Sequence, residues 1–204
     1  MIMVNLFAGL KGKTLPEGFT WLNEPAEWTF TEEGLVVQAE PQTDYFIDPA
    51  GTAVKDNGHF LYTLQEGDFT LSTYVQVGML DDYDAAVMMI MVDDRHWAKL
   101  CYEYTYKRPM IVSVVTQGVS DDCNSLAVPE TGIYLRITRF GDCFALHYSH
   151  DAKWWEMVRY FRLESSGPVK VGVVAQSPTG DGCQVIFKHL NYSPEPVTEI
   201  RSGK

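Results

Sequence analysis

No stretch of this sequence approaches the roughly 20 consecutive apolar residues that a membrane-spanning helix needs. Basic residues are scarce: 16 Lys and Arg stand against 27 Asp and Glu, a formal net charge of −11 at pH 7. That balance argues against a nucleic-acid partner, whose phosphates need a basic surface, and equally against docking on an anionic membrane. The four cysteines, Cys101, Cys123, Cys143 and Cys183, contain no C-x-x-C spacing and read as reduced, unpaired thiols. The apolar start, Met1 to Leu10, lacks a basic n-region and a small-residue cleavage site. This start does not read as a secretory signal, and a cytoplasmic location is the default expectation. Helical periodicity is missing as well, since no segment sustains it over three turns. Nor is there an internal repeat, a low-complexity tract or a linker.

What is present is a succession of short β-type runs. At 204 residues, 46% hydrophobic and 21% charged, the chain is long enough for one large β domain with a substantial core. Strands are expected near Leu35–Ala39, His59–Thr63, Phe69–Val77, Ala85–Val92, Trp97–Tyr104 and Ile111–Thr116. More follow near Ile133–Phe140, Cys143–His147, Met157–Phe161, Val169–Ala175 and Gln184–Leu190. Each is rich in Val, Ile, Thr and aromatics and is bounded by Gly, Asp, Asn or Pro. Many short strands with turns between them imply a sandwich or barrel. The segment Gln117–Glu130 reads as a loop over one face. A single domain over residues 1–193 is expected, with residues 194–204 a flexible tail containing two prolines and little apolar content.

Alternation assigns faces. In Trp97–Tyr104 the even positions look inward, leaving Trp97, Lys99, Cys101 and Glu103 on the opposite side. Continuing through the next strands adds Ser113, Tyr134, Arg136, Thr138, His147 and Ser149 to a polar face. If those strands are neighbours in one curved sheet, the side chains line a groove. Aromatic surfaces beside fixed donors and acceptors suit a sugar ring. The all-apolar run Val87–Val92 reads as a central strand covered on both faces.

Catalytic templates fit poorly. A retaining glycosidase holds two carboxyl groups about 5–5.5 Å apart and an inverting one about 6.5–9.5 Å apart. An acid two residues from Glu103 would serve, but Cys101 and Thr105 stand there, so Asp84 or Asp44 would have to come from across the fold. Gly118-Val119-Ser120-Asp121-Asp122 fails as a nucleophile elbow at its last position. Gly12-Lys13-Thr14 ends like a phosphate loop, yet Phe7 occupies the place of the first glycine. His147 and His150 lie three apart in a strand and turn, which excludes a helical zinc motif. Asp81, Asp82 and Asp84 are spaced closely enough to attract calcium but lack a full loop pattern, and read as a solvated turn. No metal and no cofactor is expected.

These residues, taken in order, resemble a known family. Trp21-Leu22-Asn23-Glu24-Pro25, Asp44-Tyr45-Phe46, Tyr83-Asp84, and Trp97-Ala98-Lys99 with Glu103 are similar to the widespread domain-of-unknown-function family related to the regulation-of-enolase protein. Ser113-Val114-Val115-Thr116, Ser120-Asp121, Tyr134-Leu135-Arg136, His147-Tyr148-Ser149 with Asp151 and Trp155, and Gly172 to Pro178 extend the likeness from about Leu15 to Leu190. The resemblance implies an all-β fold, a two-sheet antiparallel jelly-roll sandwich of the concanavalin A-like lectin and glucanase type. It implies no activity, because fold and function separate readily. Two departures stand at the expected groove rim: Asp84-Ala85-Ala86-Val87 replaces an aspartate-glutamine-alanine-glycine stretch, and Asp122 replaces an aromatic.

The functional expectation is a carbohydrate or related small ligand, with an acidic sugar preferred because Lys99 and Arg136 would clamp a carboxylate. The ligand-binding candidates are Trp97, Lys99, Glu103, Ser113, Tyr134, Arg136, His147 and Ser149, with Trp155 a further stacking candidate. The competing readings are a glycan-active enzyme using Glu103 as acid or base, and a module regulating a metabolic protein.

Overall fold

The computed structural model describes residues 2–203, and every regular element among them is a strand. In chain order these are β1 (Val4–Asn5), β2 (Thr20–Leu22), β3 (Trp28–Thr31), β4 (Gly34–Ala39), β5 (Tyr45–Ile47) and β6 (Val54–Asp56). Next come β7 (His59–Gln65), β8 (Phe69–Val77), β9 (Ala85–Asp93), β10 (His96–Thr105), β11 (Arg108–Gln117) and β12 (Val119–Ala127). The chain closes with β13 (Gly132–Phe140), β14 (Cys143–Ser149), β15 (Glu156–Arg162), β16 (Val169–Gln176), β17 (Cys183–Phe187) and β18 (Asn191–Ser193).

Two antiparallel sheets form a jelly-roll sandwich. The nine-stranded sheet runs β15-β14-β13-β8-β17-β4-β3, with β18 beside β8 and β1 beside β18. The seven-stranded sheet runs β12-β11-β10-β9-β16-β7-β2, and β5 and β6 make a separate hairpin. Alternation drives the pairing of layers: Phe69, Leu71 and Val75 of β8 meet Ala98, Leu100 and Tyr102 of β10 in the core between the sheets. Each large side chain so buried contributes about 1.5–3 kcal/mol relative to exposure.

A second apolar layer explains the unbroken run in β9. Ala86, Met88 and Ile90 join the core between the sheets, whereas Ala85, Val87, Met89 and Met91 join another cluster on the outer face. The β5–β6 hairpin covers that outer cluster with Tyr45 and Ile47. Asn23 secures the hairpin by donating to Tyr45 Oη, Asp56 O and Gly58 O at 3.1, 2.9 and 3.1 Å. Ser120 Oγ holds its other side by accepting from Ile47 N at 2.9 Å.

Two expectations change here. The segment read as a loop contains β12, paired with β11 from Val119 opposite Gln117 to Ala127 opposite Met110. Its polar residues conceal the strand, and they suit a sheet edge, where charge blocks further pairing. The segment 194–203, read as a flexible tail, lies along the outer face of the nine-stranded sheet. Thr70 Oγ1 donates to Glu195 O at 2.8 Å, and Val197 N donates to Thr138 Oγ1 at 3.2 Å. His147 Nε2 and Ile200 O are 2.7 Å apart.

Candidate functional site

The polar face expected to form one groove is divided between two surfaces. β10 and β11 lie in the seven-stranded sheet, β13 and β14 in the nine-stranded one. Both sheets turn their apolar sides to the shared core, so their polar sides point away from each other. Trp97, Lys99 and Glu103 occupy the outer face of the seven-stranded sheet. Tyr134, Arg136, Thr138, His147 and Ser149 occupy the opposite outer surface. Ser113 belongs to neither: it pairs across from Leu100, between Ile111 and Val115 of the central core, and faces inward. The phase was misread because Val112 and Val114, apolar as they are, face out beneath the hairpin layer.

On the seven-stranded sheet the side chains converge on a pocket of about 250 Å³. Its polar lining is Asp44, Lys99, Glu103, Asp122 and Gln176, and its apolar lining includes Phe46, Tyr83, Val112, Val114 and Pro178. Lys99, 3% exposed, sits at the floor and donates to Asp44 Oδ1 at 2.8 Å and to Gln176 Oε1 at 3.3 Å. Asp44 is placed by the hairpin: its carbonyl accepts from Asn57 N and Gly58 N, both at 3.0 Å. Glu103, 6% exposed, stands on the same strand face and accepts from Thr105 Oγ1. Asp122 comes from β12, opposite Val114, which is itself opposite Lys99.

The charges are strongly coupled. Burial works against the Lys99 ammonium, but Asp44, Cys101 and Glu103 outweigh it and hold the group above its usual range. Burial pushes the Glu103 carboxyl up to about 7; Lys99 and Thr105 oppose that, while Asp44 and Asp122 add to it. A carboxyl poised near neutrality in a pocket is able to donate or accept a hydrogen bond.

Tyr83 forms the aromatic wall. It is 46% exposed and adopts φ +74°, an unusual conformation for a bulky residue. The turn holding it is rigid: Asp84 Oδ2 accepts from Leu80 N and Asp81 N at 3.0 and 2.9 Å, and Asp84 Oδ1 accepts from Ser177 Oγ at 2.6 Å. Asp84 is therefore a structural acid, committed to its own turn. Asp82 pairs with Lys107 at 3.2 Å. Among the described residues no group of three His, Cys, Asp or Glu side chains is arranged to hold a metal ion.

The other candidates serve elsewhere. Trp97 is buried beneath the hairpin, edge-on to Tyr45 at 6.2 Å. A cavity of about 580 Å³ opens beside it among Asn23, Lys55, Asp56 and Arg95. Ser149 Oγ accepts from Ala152 N at 2.9 Å and donates to Trp154 O, capping the turn after β14. Arg136 stacks on Trp155 at 4.1 Å, and Tyr134 packs edge-on to Trp155 and Tyr74. Since Lys99 and Arg136 are on opposite surfaces, they cannot clamp one carboxylate. The face reading missed Phe46, Tyr83, Asp122 and Gln176, which come from loops, the hairpin, the edge strand and a strand end. The signal for Phe46, Tyr83 and Gln176 lay in the family-like segments Asp44–Phe46, Tyr83-Asp84 and Gly172–Pro178, and that for Asp122 in its departure from the family pattern at the expected groove rim.

Residues 21–195 match the family described as Protein of unknown function (DUF1349). The chain belongs to that family. This DUF1349 chain is 32% identical over 185 residues to Regulation of enolase protein 1 of Saccharomyces cerevisiae, covering 90% of this chain and 92% of that protein. It is also similar to the solved structure of a functionally unknown protein from Saccharomyces cerevisiae. That match has a TM-score of 0.81 at 28% identity, over 86% of this chain and 96% of the other. The carbohydrate binding module CBM66 from Bacillus subtilis matches with a TM-score of 0.57 and 14% identity, over 86% of this chain and 95% of that one. At that identity the likeness concerns the fold of the DUF1349 chain alone.

Proposed function

We propose that the pocket around Lys99 and Glu103 binds a neutral carbohydrate or related polyol ring. The observation that carries this reading is the convergence of buried Lys99, Glu103 and Gln176 with half-buried Asp44 beneath the exposed ring of Tyr83. A sugar needs that pairing of a stacking surface with fixed donors and acceptors. The strained backbone of Tyr83 fits a ligand-facing role, because such conformations are costly and gather at binding sites. Acidic sugars are disfavoured: the lining holds three carboxylates, Asp44, Glu103 and Asp122, against the single cation Lys99. At about 250 Å³ the pocket takes one ring rather than an extended chain. The fold shared with a carbohydrate binding module is consistent with this ligand class. A reducing compartment, as in the cytoplasm, agrees with four unpaired cysteines.

Titration calorimetry with neutral monosaccharides and polyols, run on the intact chain and on Glu103→Gln, tests the proposal. Saturable binding weakened by Glu103→Gln supports it. Heats that stay at the dilution level for every sugar contradict it.

A second reading treats Glu103 as a general acid in glycan cleavage, because its carboxyl is held near 7 with Asp44 and Asp122 in the same pocket. For that reading, Glu103→Gln abolishes turnover of an aryl glycoside while leaving sugar binding in place. Turnover equal to that of the unmodified chain would remove it. A regulatory contact with a metabolic protein is the alternative suggested by the yeast relative's name.

A further inference from the structure

The opposite surface carries a separate feature that the pocket does not use. Arg136 is 3% exposed, and its Nε and Nη2 have no hydrogen-bond partner. Among the described residues no carboxylate forms an ion pair with it. A buried guanidinium without an acceptor is expensive, and such a group calls for an occupant. His147, its direct cross-strand neighbour, is 0% exposed. Burial first, and then Arg136, lower its pKa to about 4, so its ring is neutral near pH 7. Its Nε2 faces the Ile200 carbonyl at 2.7 Å and therefore carries the proton. Nδ1 is then a bare acceptor, and it too is buried without a partner.

We propose that this surface is a second ligand site, for a small hydroxy-carboxylate, closed by the chain segment 200–203. The carboxylate accepts from the two free N–H groups of Arg136, and the adjacent hydroxyl donates to His147 Nδ1. Trp155, already stacked at 4.1 Å on the guanidinium, forms the opposite wall. The closing segment is seated at Gly203, buried against Arg136 and Trp155. A Cβ there would lie 2.3 Å from Arg136 Nη2 and 2.5 Å from Trp155 Cβ, and the backbone has φ +67°. A ligand reaches Arg136 only when that end swings away, so binding and release of the segment are coupled. The site is independent of the Lys99 pocket, and failure of either leaves the other standing.

The test uses the full chain with L-malate as the probe and succinate as the comparator lacking only the hydroxyl, followed by Trp fluorescence. Two variants open the site: Gly203→Val, by steric expulsion, and Val197→Asp, by placing a charge where Val197 is buried. Faster amide exchange over residues 199–203 reports the opening. The expected result is malate binding at least about tenfold tighter in the opened variants than in the parent, because the competent state is no longer the minor one. Adding Arg136→Met to Gly203→Val removes binding, and succinate binds more weakly than malate. No saturable malate binding in either variant overturns the proposal and leaves water as the partner of Arg136. Binding that survives Arg136→Met overturns it equally.

Discussion

Lys99 Nζ and Asp44 Oδ1, 55 positions apart in sequence, meet at 2.8 Å on the floor of the pocket. The contact joins the covering hairpin to the middle of the seven-stranded sheet, so it shapes the pocket as well as charging it. Removing half-buried Asp44 takes away the direct partner of the buried Lys99 ammonium and leaves Glu103 to compensate it. Asp44→Asn is expected to destabilise the chain by about 1.5–3 kcal/mol, and adding Lys99→Met to recover most of that loss. Urea unfolding of the single and double variants measures the cycle.

Glu103 makes stability depend on pH in a definite direction. Its carboxyl titrates near 4.5 when unfolded and near 7 when folded, so the native state holds the proton longer. Between those values the folded chain binds more protons, and stability falls as pH rises, levelling above about 7. Glu103→Gln removes that slope. It is expected to have little effect at pH 4 and to stabilise the chain by up to about 3 kcal/mol at pH 8. Thermal unfolding across pH in both proteins checks it.

His147 acts on the acid side with the opposite sign. Its folded pKa, lowered to about 4 chiefly by burial, lies below the unfolded 6.5. The unfolded chain takes up the proton first, so this group withdraws stability as pH falls from 6.5 to 4. The imidazole resonances followed by NMR should titrate near 4. Titration near 6.5 would mean that the ring is open to solvent.

Gly172 lies in β16 where a Cβ would stand 2.0 Å from Leu61 O and 2.9 Å from Tyr62 Cα. The strand β7 approaches too closely for any side chain. Gly172→Ala is expected to cost about 1–3 kcal/mol or more through overpacking, read as a lowered denaturation midpoint.

Sequence patterning reached the sheets more fully than the site. Strands such as Phe69–Val77 were legible because alternation and bounding turns agree. β12 was hidden because Ser120, Asp121, Asp122 and Asn124 are polar at an edge, where one neighbour suffices to hold the strand. Alternation also separates the two sides of a strand without saying which sheet the strand enters. Lys99 and Arg136 thus looked like neighbours, although the chain crosses between sheets after Ala127. The hairpin carrying Asp44 and Phe46 is made of strands too short to show a period.

Tyr83 and Trp97 separate an aromatic that lines the pocket from a structural one. Tyr83 is half-exposed and Trp97 is buried under the hairpin. Trp97→Ala is expected to destabilise by about 3–5 kcal/mol. Tyr83→Asn keeps a residue that tolerates the left-handed backbone, so the fold should persist while a stacking surface is lost.

The most direct measurement is therefore a thermal-shift panel of neutral and acidic monosaccharides on the parent chain and on Tyr83→Asn. A ligand at 100 times its dissociation constant adds about 2.7 kcal/mol, a visible rise in melting temperature. The account predicts a rise with at least one neutral sugar, absent in Tyr83→Asn and smaller for acidic sugars. A flat panel, or a rise that Tyr83→Asn leaves intact, contradicts it.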